Sequence, residues 1–260
     1  MDLVRLTGGG PESFDVISRG HMDQLTKYAP VAPEHNVLEI GCGIGRDAIP
    51  LSEILKADSL YLGVDIIRES TEWCQKNIGG SHPNFHFAHF DVKDQLHNPS
   101  GTMATTDISF PLAAESINRI IGQSVFTHMF EEGITHYLRE FHRVLDPAGL
   151  AMVSFFIVDD SKLAHVRSQE AAVDAAALRF PFEYAAGCYI NDLQVPAGAV
   201  AYELGALQRM LDASGLELAQ PVHYGFWSGL HPDTHDGQDM VILQKVGNPA
   251  PGAIAGRDFL

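Results

Sequence analysis

Val37-Leu38-Glu39-Ile40-Gly41-Cys42-Gly43-Ile44-Gly45-Arg46 decides the reading of this chain, because an apolar strand runs there into three alternate glycines and then into a helix. Without Cβ atoms the backbone turns sharply and lets a ligand approach, and the N-terminus of the following helix offers unpaired N–H groups and a positive dipole end. The turn suits a nucleotide-like or carboxylate-bearing ligand. Alone, it also suits a tight strand-to-helix turn that binds nothing.

Two neighbouring strand ends narrow the choice. Asp65, followed by Ile66, closes the next strand about 20 residues past the glycines, where a carboxylate can accept both ribose hydroxyl protons. Phe90-Asp91-Val92 closes the third strand and offers a carboxylate and a backbone N–H where an adenine edge would lie. Each acid alone could be a cap or a solvated turn; three consecutive strand ends with matching roles argue for a nucleoside site.

Outward from these positions, short β-rich runs alternate with amphipathic stretches, the pattern of a parallel sheet with helices on both faces. Strands are expected at 36–40, 59–65, 84–90, 117–124 and 149–157. Helices are expected at 47–55 and around Ile134, Tyr137, Leu138, Phe141 and Leu145, with Pro147-Ala148-Gly149 turning the second into the fifth strand. The alternation lapses over 159–201, which reads as an insertion with an aromatic segment at Phe180–Tyr184. It resumes with a helix at 204–214 and strands at 216–224 and 239–245. Phe14, Ile17, His21, Leu25 and Tyr28 mark an amphipathic N-terminal helix. One domain is expected: a helical cap at 1–30, a binding core at 36–157, a lid at 159–201, the rest of the sheet at 202–246 and a frayed tail at 247–260.

The chain of 260 residues carries 33 acidic against 17 basic residues, a net charge of −16, and no Lys/Arg run that would follow a phosphate backbone. Nucleic acid is an unsuitable partner. No stretch reaches the ~20 apolar residues of a membrane span, so a soluble protein with no membrane partner is expected. Cys42, Cys74 and Cys188 have no metal-type spacing, and with no apolar signal core a reducing cytoplasm fits.

The glycine stretch and its two acids resemble the class I S-adenosylmethionine-dependent methyltransferases over about residues 36–157. That family's Glu-x-Gly-x-Gly-x-Gly replaces the Gly-x-Gly-x-x-Gly of dinucleotide oxidoreductases, and Arg46 stands where the latter need glycine. The resemblance implies a Rossmann-like α/β fold with a seven-stranded mixed sheet, its last strand antiparallel, and S-adenosylmethionine as cofactor. It further implies that Glu39, Gly41, Cys42, Gly43 and Gly45 pass beneath the methionine and ribose, that Asp65 and Ile66 hold the ribose, that Asp91 and Val92 read the adenine, and that Gln123 and Ser124 lie at the exit of the fourth strand. Where the family commonly has Phe-Asp, this chain has Asn118-Arg119, which affects local loop contacts.

His128 lies at that exit, and its ordinary pKa of about 6.5 suits a general base for an alcohol acceptor; packing against a loop is the competing reading. Phe126, His223, Trp227, His231 and His235 are candidate acceptor contacts. His231, His235 and Asp236 could together bind a metal, but such residues in one loop are more often turn residues, and no metal is assigned. Arg19 could meet the methionine carboxylate or lie in solvent. The absence of Asn-Pro-Pro-Tyr at the fourth strand end, together with the charge, points to a hydroxylated small molecule. The loop Asn98–Gly101, Ser124–Met129 and Gln238-Asp239 resemble bacterial methyltransferases of glycan and secondary-metabolite pathways. O-methylation is therefore expected, with N- or protein methylation and an NAD(P)-linked oxidoreductase as rivals. Oligomeric state is left open, a homodimer being one option.

Overall fold

The computed structural model describes Val4 and residues 9–168, 178–234 and 237–247. Five strands form the parallel part of the main sheet: β1 (Val37–Ile40), β2 (Tyr61–Asp65), β3 (Phe85–His89), β4 (Ile117–Gly122) and β5 (Leu145–Phe155). β1 and β2 are buried at every position, which is why they read as apolar runs without alternation. Two later strands, β10 (Leu216–Leu218) and β11 (Asp239–Lys245), complete the order β10-β11-β5-β4-β1-β2-β3. β11 runs antiparallel to both β5 and β10. A seven-stranded mixed sheet with its last strand antiparallel is thus what the sequence led one to expect.

The helices divide between the two faces. α1 (Phe14–Tyr28), α2 (Ala48–Ser52) and α3 (Arg68–Cys74) lie on one, where Leu25, Ala48, Leu51 and Cys74 pack with Tyr61, Phe85 and Ile121. α4 (Glu131–Val144) and α6 (Leu204–Asp212) lie on the other. There Ile134, Tyr137, Leu138 and Phe141 of α4 meet Leu207, Met210 and Leu211 of α6. Phe141 is fully buried, and its truncation to alanine would cost about 3–5 kcal/mol.

Three local expectations change. The first helix after the glycines is only Ala48–Ser52, followed by a turn that still buries Leu55. β10 stops at Leu218 rather than Tyr224; Pro221 lacks the N–H a ladder needs, and pairing returns only at the His223–Met240 bridge. Pro147-Ala148-Gly149 does not precede β5 but forms a bulge within it, between the pairs Ile117–Leu145 and Arg119–Leu150.

The described parts of 157–203 carry regular structure that has no clear sequence period. β6 (Ile157–Val158), β7 (Phe182–Ala185), β8 (Cys188–Ile190) and β9 (Val200–Glu203) form a second sheet in the order β6-β9-β8-β7, with α5 (Asp160–Ser168) beside it. Phe156, Phe180 and Trp227 make its own aromatic core, with ring centroids 5.2–5.6 Å apart. Asn118 and Arg119 sit at the opposite edge of the sheet from the glycine turn. Arg119 Nε donates to the Pro30 carbonyl at 2.9 Å and the Asn118 side chain accepts from Asn36 N at 2.8 Å, so this pair fastens the link from α1 to β1. Among the described residues no helix is long and apolar enough to cross a membrane.

Candidate active site

A cavity of about 1340 Å³ runs across the edge where β1, β2 and β4 end, from α1 on one face of the sheet to α4 on the other. Single-ligand pockets usually fall within about 300–1,000 Å³, so there is room for two small molecules side by side.

The glycine turn forms its floor. Gly41 and Gly43 adopt φ of +70° and +51°, a left-handed conformation that side chains disfavour. A Cβ on Gly41 would stand 2.5 Å from Val125 Cγ2, so the turn and the β4 exit lie against each other. The buried Asp65 carboxylate, at the end of β2, accepts from Gly43 N at 2.7 Å and Ile67 N at 2.8 Å. Burial raises its pKa, and the two N–H donors oppose that. Glu39, also buried, accepts from the Tyr61 hydroxyl; burial and then the nearby Asp47 carboxylate push its pKa well up. Asp47 takes His21 Nδ1 of α1 at 2.9 and 3.0 Å, and Ser18 Oγ donates to the Arg46 carbonyl at 2.9 Å. These bonds lay α1 over the turn, so that Ile17, Gly20, His21 and Gln24 become a wall of the cavity.

At the β4 exit Ser124 holds φ of +55°, unusual for a residue with a side chain and typical of functional loops. Gln123 Nε2 donates to Gln24 Oε1 at 3.0 Å, and Ser124 Oγ donates to Gln238 Oε1 at 3.0 Å. His128 lies one short turn further on, half-buried, with Nδ1 2.9 Å from the Ala197 carbonyl. A carbonyl can only accept, so Nδ1 carries the hydrogen and the basic lone pair is on Nε2. Burial lowers the His128 pKa. A second histidine, His97, faces it with ring centroids 6.0 Å apart. Its Nδ1 is 3.1 Å from Asp94 Oδ1, and this hydrogen bond raises its pKa.

Glu39, Gly41, Gly43, Asp65, Ile66, Val92, Gln123, Ser124 and His128 therefore share one cavity. Other expected contacts lie elsewhere, for physical reasons. Cys42 is buried beneath the turn, raised in pKa by burial, with its sulfur 3.1 Å from where a Gly63 Cβ would be. Gly45 serves packing: a Cβ there would meet Ile78 Cδ1 at 2.4 Å. Asp91 turns to its own loop, taking Thr102 Oγ1 at 2.7 Å and Asn98 Nδ2 at 3.1 Å, which leaves Val92 on the cavity side.

The acceptor contacts differ most from expectation. Phe126 is fully buried among Tyr137, Phe141 and Phe155. His223 stacks on Tyr28 at 3.9 Å and His231 on Tyr224 at 5.1 Å. Trp227 donates to Asp239 Oδ2 at 3.0 Å inside the second core. His235 lies outside the described residues, as does Asp236. In their place, Phe226, Gly237, Gln238, Phe130 and Tyr184 line the cavity. Arg19 is exposed and away from the cavity; Arg46, its guanidinium 5.4 Å from the Phe14 ring, lines it. Asp47 and Arg46 were within reach of sequence reasoning, since they close the glycine stretch, whereas Gln24 carries no motif that marks it and Gln238 stands out only within the pair Gln238-Asp239, with no role attached. Among the described residues no His/Cys/Asp/Glu group could hold a metal.

The fold is the one shared by class I S-adenosylmethionine-dependent methyltransferases, a class whose cofactor is S-adenosylmethionine. Residues 37–149 match the family model described as a methyltransferase domain. Methyltransferase GfsG of Streptomyces halstedii is 25% identical over 151 residues, covering 57% of this chain and 48% of its own, so the chain spans about half the length of the curated relative it matches. A SAM-dependent methyltransferase from Leishmania major shares the fold at a TM-score of 0.57 and 11% identity, over 92% of this chain and 76% of that one. Phosphoethanolamine N-methyltransferase 1 of Haemonchus contortus, solved with phosphoethanolamine and S-adenosylhomocysteine, gives 0.55 at 12% identity, over 94% of this chain and 45% of its own.

Proposed function

We propose that this protein transfers the methyl group of S-adenosylmethionine to a hydroxyl oxygen of a small molecule, with His128 as the general base. When bound, the cofactor supplies an electrophilic methyl on a positively charged sulfur. The residues around the turn suit that charge: Asp47 and Asp65 line the cavity beside Gly41 and Gly43, where a dinucleotide's pyrophosphate would meet carboxylates rather than donors. This observation carries the reading against an oxidoreductase. Asp65 keeps unused lone pairs for the ribose hydroxyls, the Val92 edge takes the adenine, and Arg46 takes the methionine carboxylate.

In the transfer the C–O bond forms as the C–S bond breaks, and the acceptor's proton passes to His128 Nε2. The Ala197 carbonyl keeps Nδ1–H in place throughout. The segment that provides this carbonyl acts as a cover. Gln95 Nε2 donates to the Gln194 carbonyl at 3.4 Å and Tyr184 stacks on Phe130 at 4.6 Å, so the second sheet rests on both loops that flank the cavity. Such a cover excludes water from a displacement that needs only alignment.

Transfer to nitrogen is the second reading. Asp94 and Glu132 line the cavity and would attract an ammonium acceptor, and the Haemonchus relative is an N-methyltransferase. Tritiated-methyl transfer to matched alcohol and amine acceptors, with His128→Ala beside the unaltered protein, tests the assignment. Alcohol methylation that falls in the variant supports it; methylation of amines only, indifferent to His128, overturns it.

A further inference from the structure

Gln238, the residue before β11, sits in a network that fixes which way its amide faces. Ser154 Oγ accepts from Ser124 N at 2.8 Å and donates to Gln238 Oε1 at 2.6 Å, while Ser124 Oγ donates to the same oxygen at 3.0 Å. Ser154 is fully buried. With one lone pair taken by Ser124 N, its hydroxyl hydrogen needs an acceptor, and among the described residues the amide oxygen is the acceptor it meets. Reversing the amide would strand that hydrogen at a cost of about 1–3 kcal/mol.

The amide nitrogen is therefore the group left over. Gln238 Nε2 has no hydrogen-bond partner among the described residues, and Gln238 lines the cavity beside Gly237 and Phe226. Its neighbour Ser124 precedes Val125, whose methyl touches the Gly41 turn. The free donor thus stands next to the floor on which the methyl donor rests. The charge pattern agrees. Gln24 and Gln123 are paired side by side in the same wall, and the side chains of Gln24, Gln123, Ser124 and Gln238 carry no charge, whereas carboxylates line the glycine turn, where Asp47 reaches His21 of α1, and the 94–97 loop.

We propose that Gln238 is a specificity-determining residue that donates from Nε2 to an oxygen lone pair of the acceptor beside the atom to be methylated. The inference rests on the methyl-transfer reading and narrows it: the acceptor carries two neighbouring oxygens, one that reacts and one, a hydroxyl or carbonyl, that Gln238 holds. Ser124 and Ser154 act through Gln238 as positioning residues. A cationic nitrogen cannot accept from Nε2 and is disfavoured there.

The test uses the full chain saturated with S-adenosylhomocysteine, labelled with ¹⁵N in its glutamine side chains and titrated separately with catechol and benzylamine. The Gln238 signals are assigned by their loss in Gln238→Glu, with Gln238→Leu as a second variant should the first fail to fold. The expected result is that catechol shifts the Gln238 amide pair while benzylamine does not, and that either variant weakens catechol about tenfold, as loss of one such hydrogen bond implies, with the homocysteine ligand bound as before. A Gln238 amide unmoved by catechol, a shift with benzylamine alone, or equal catechol affinity in the variants overturns the proposal. Failure of the unaltered protein to bind S-adenosylhomocysteine strikes the methyl-donor reading instead, at a step preceding this one.

Discussion

The two halves of the cavity are built on different principles. The half proposed for the cofactor stands on consecutive strand ends, with Gly41, Gly43 and Asp65 within one βαβ unit and Asp65 bonded directly to Gly43 N and Ile67 N. The half proposed for the acceptor is assembled from α1, the β4 exit, the start of β11 and the second sheet. Its key contacts join residues far apart in sequence, Gln123 with Gln24, Ser124 with Gln238 and His128 with Ala197. A site on adjacent strand ends is set by backbone register, so a short motif encodes it; a site made by distant loops exists only once tertiary packing has brought them together.

This contrast predicts separable effects. The largest belongs to the acceptor half: His128→Ala should lower turnover about 100-fold and leave S-adenosylhomocysteine affinity unchanged. A matching loss of cofactor affinity would show that the halves are not independent. In the cofactor half, Asp65→Ala should weaken S-adenosylhomocysteine by about 2 kcal/mol, roughly 30-fold, as read by calorimetry. The same measurement on Asp91→Ala should give a much smaller change, under about threefold, because that carboxylate already serves Thr102 and Asn98. If Asp91 matters as much as Asp65, it reads the adenine after all and its loop rearranges on binding.

A subtler test uses pH. As the proposed base, His128 would act when neutral, and burial lowers its pKa, so kcat/KM should stay flat below the ordinary midpoint of about 6.5 and fall only at more acidic pH. His97, raised by Asp94, keeps its proton to higher pH than an ordinary histidine and should not produce that limb. In His97→Ala the acidic limb should persist; in His128→Ala it should vanish.

How much was legible follows the same division. The five parallel strands and the antiparallel last strand stand within a few residues of their sequence positions; β1 and β2, buried at every position, are mostly apolar, and β3 shows as alternating Phe and His. Gly41, Gly43, Asp65, Val92 and Ser124 meet in the cavity as the strand ends imply. Aromatic character misled at Phe126 and Trp227: a large ring beside a site pattern is as well used in a core, and both lie in cores. His223 and His231 found stacking partners instead of the cavity. The second sheet escaped because β7 is exposed along its whole length and β8 is three residues long, too little to show a period. Gln238 stands out in the sequence only as part of Gln238-Asp239, without a role, because an amide's role depends on which hydroxyls it meets.

The measurement closest to the central claim is calorimetric titration of the purified protein with S-adenosylhomocysteine, with NAD titrated separately. Micromolar binding of the homocysteine ligand and none of NAD is the expected result. Binding of NAD alone, or of neither, would contradict a methyl-donor site on this glycine turn.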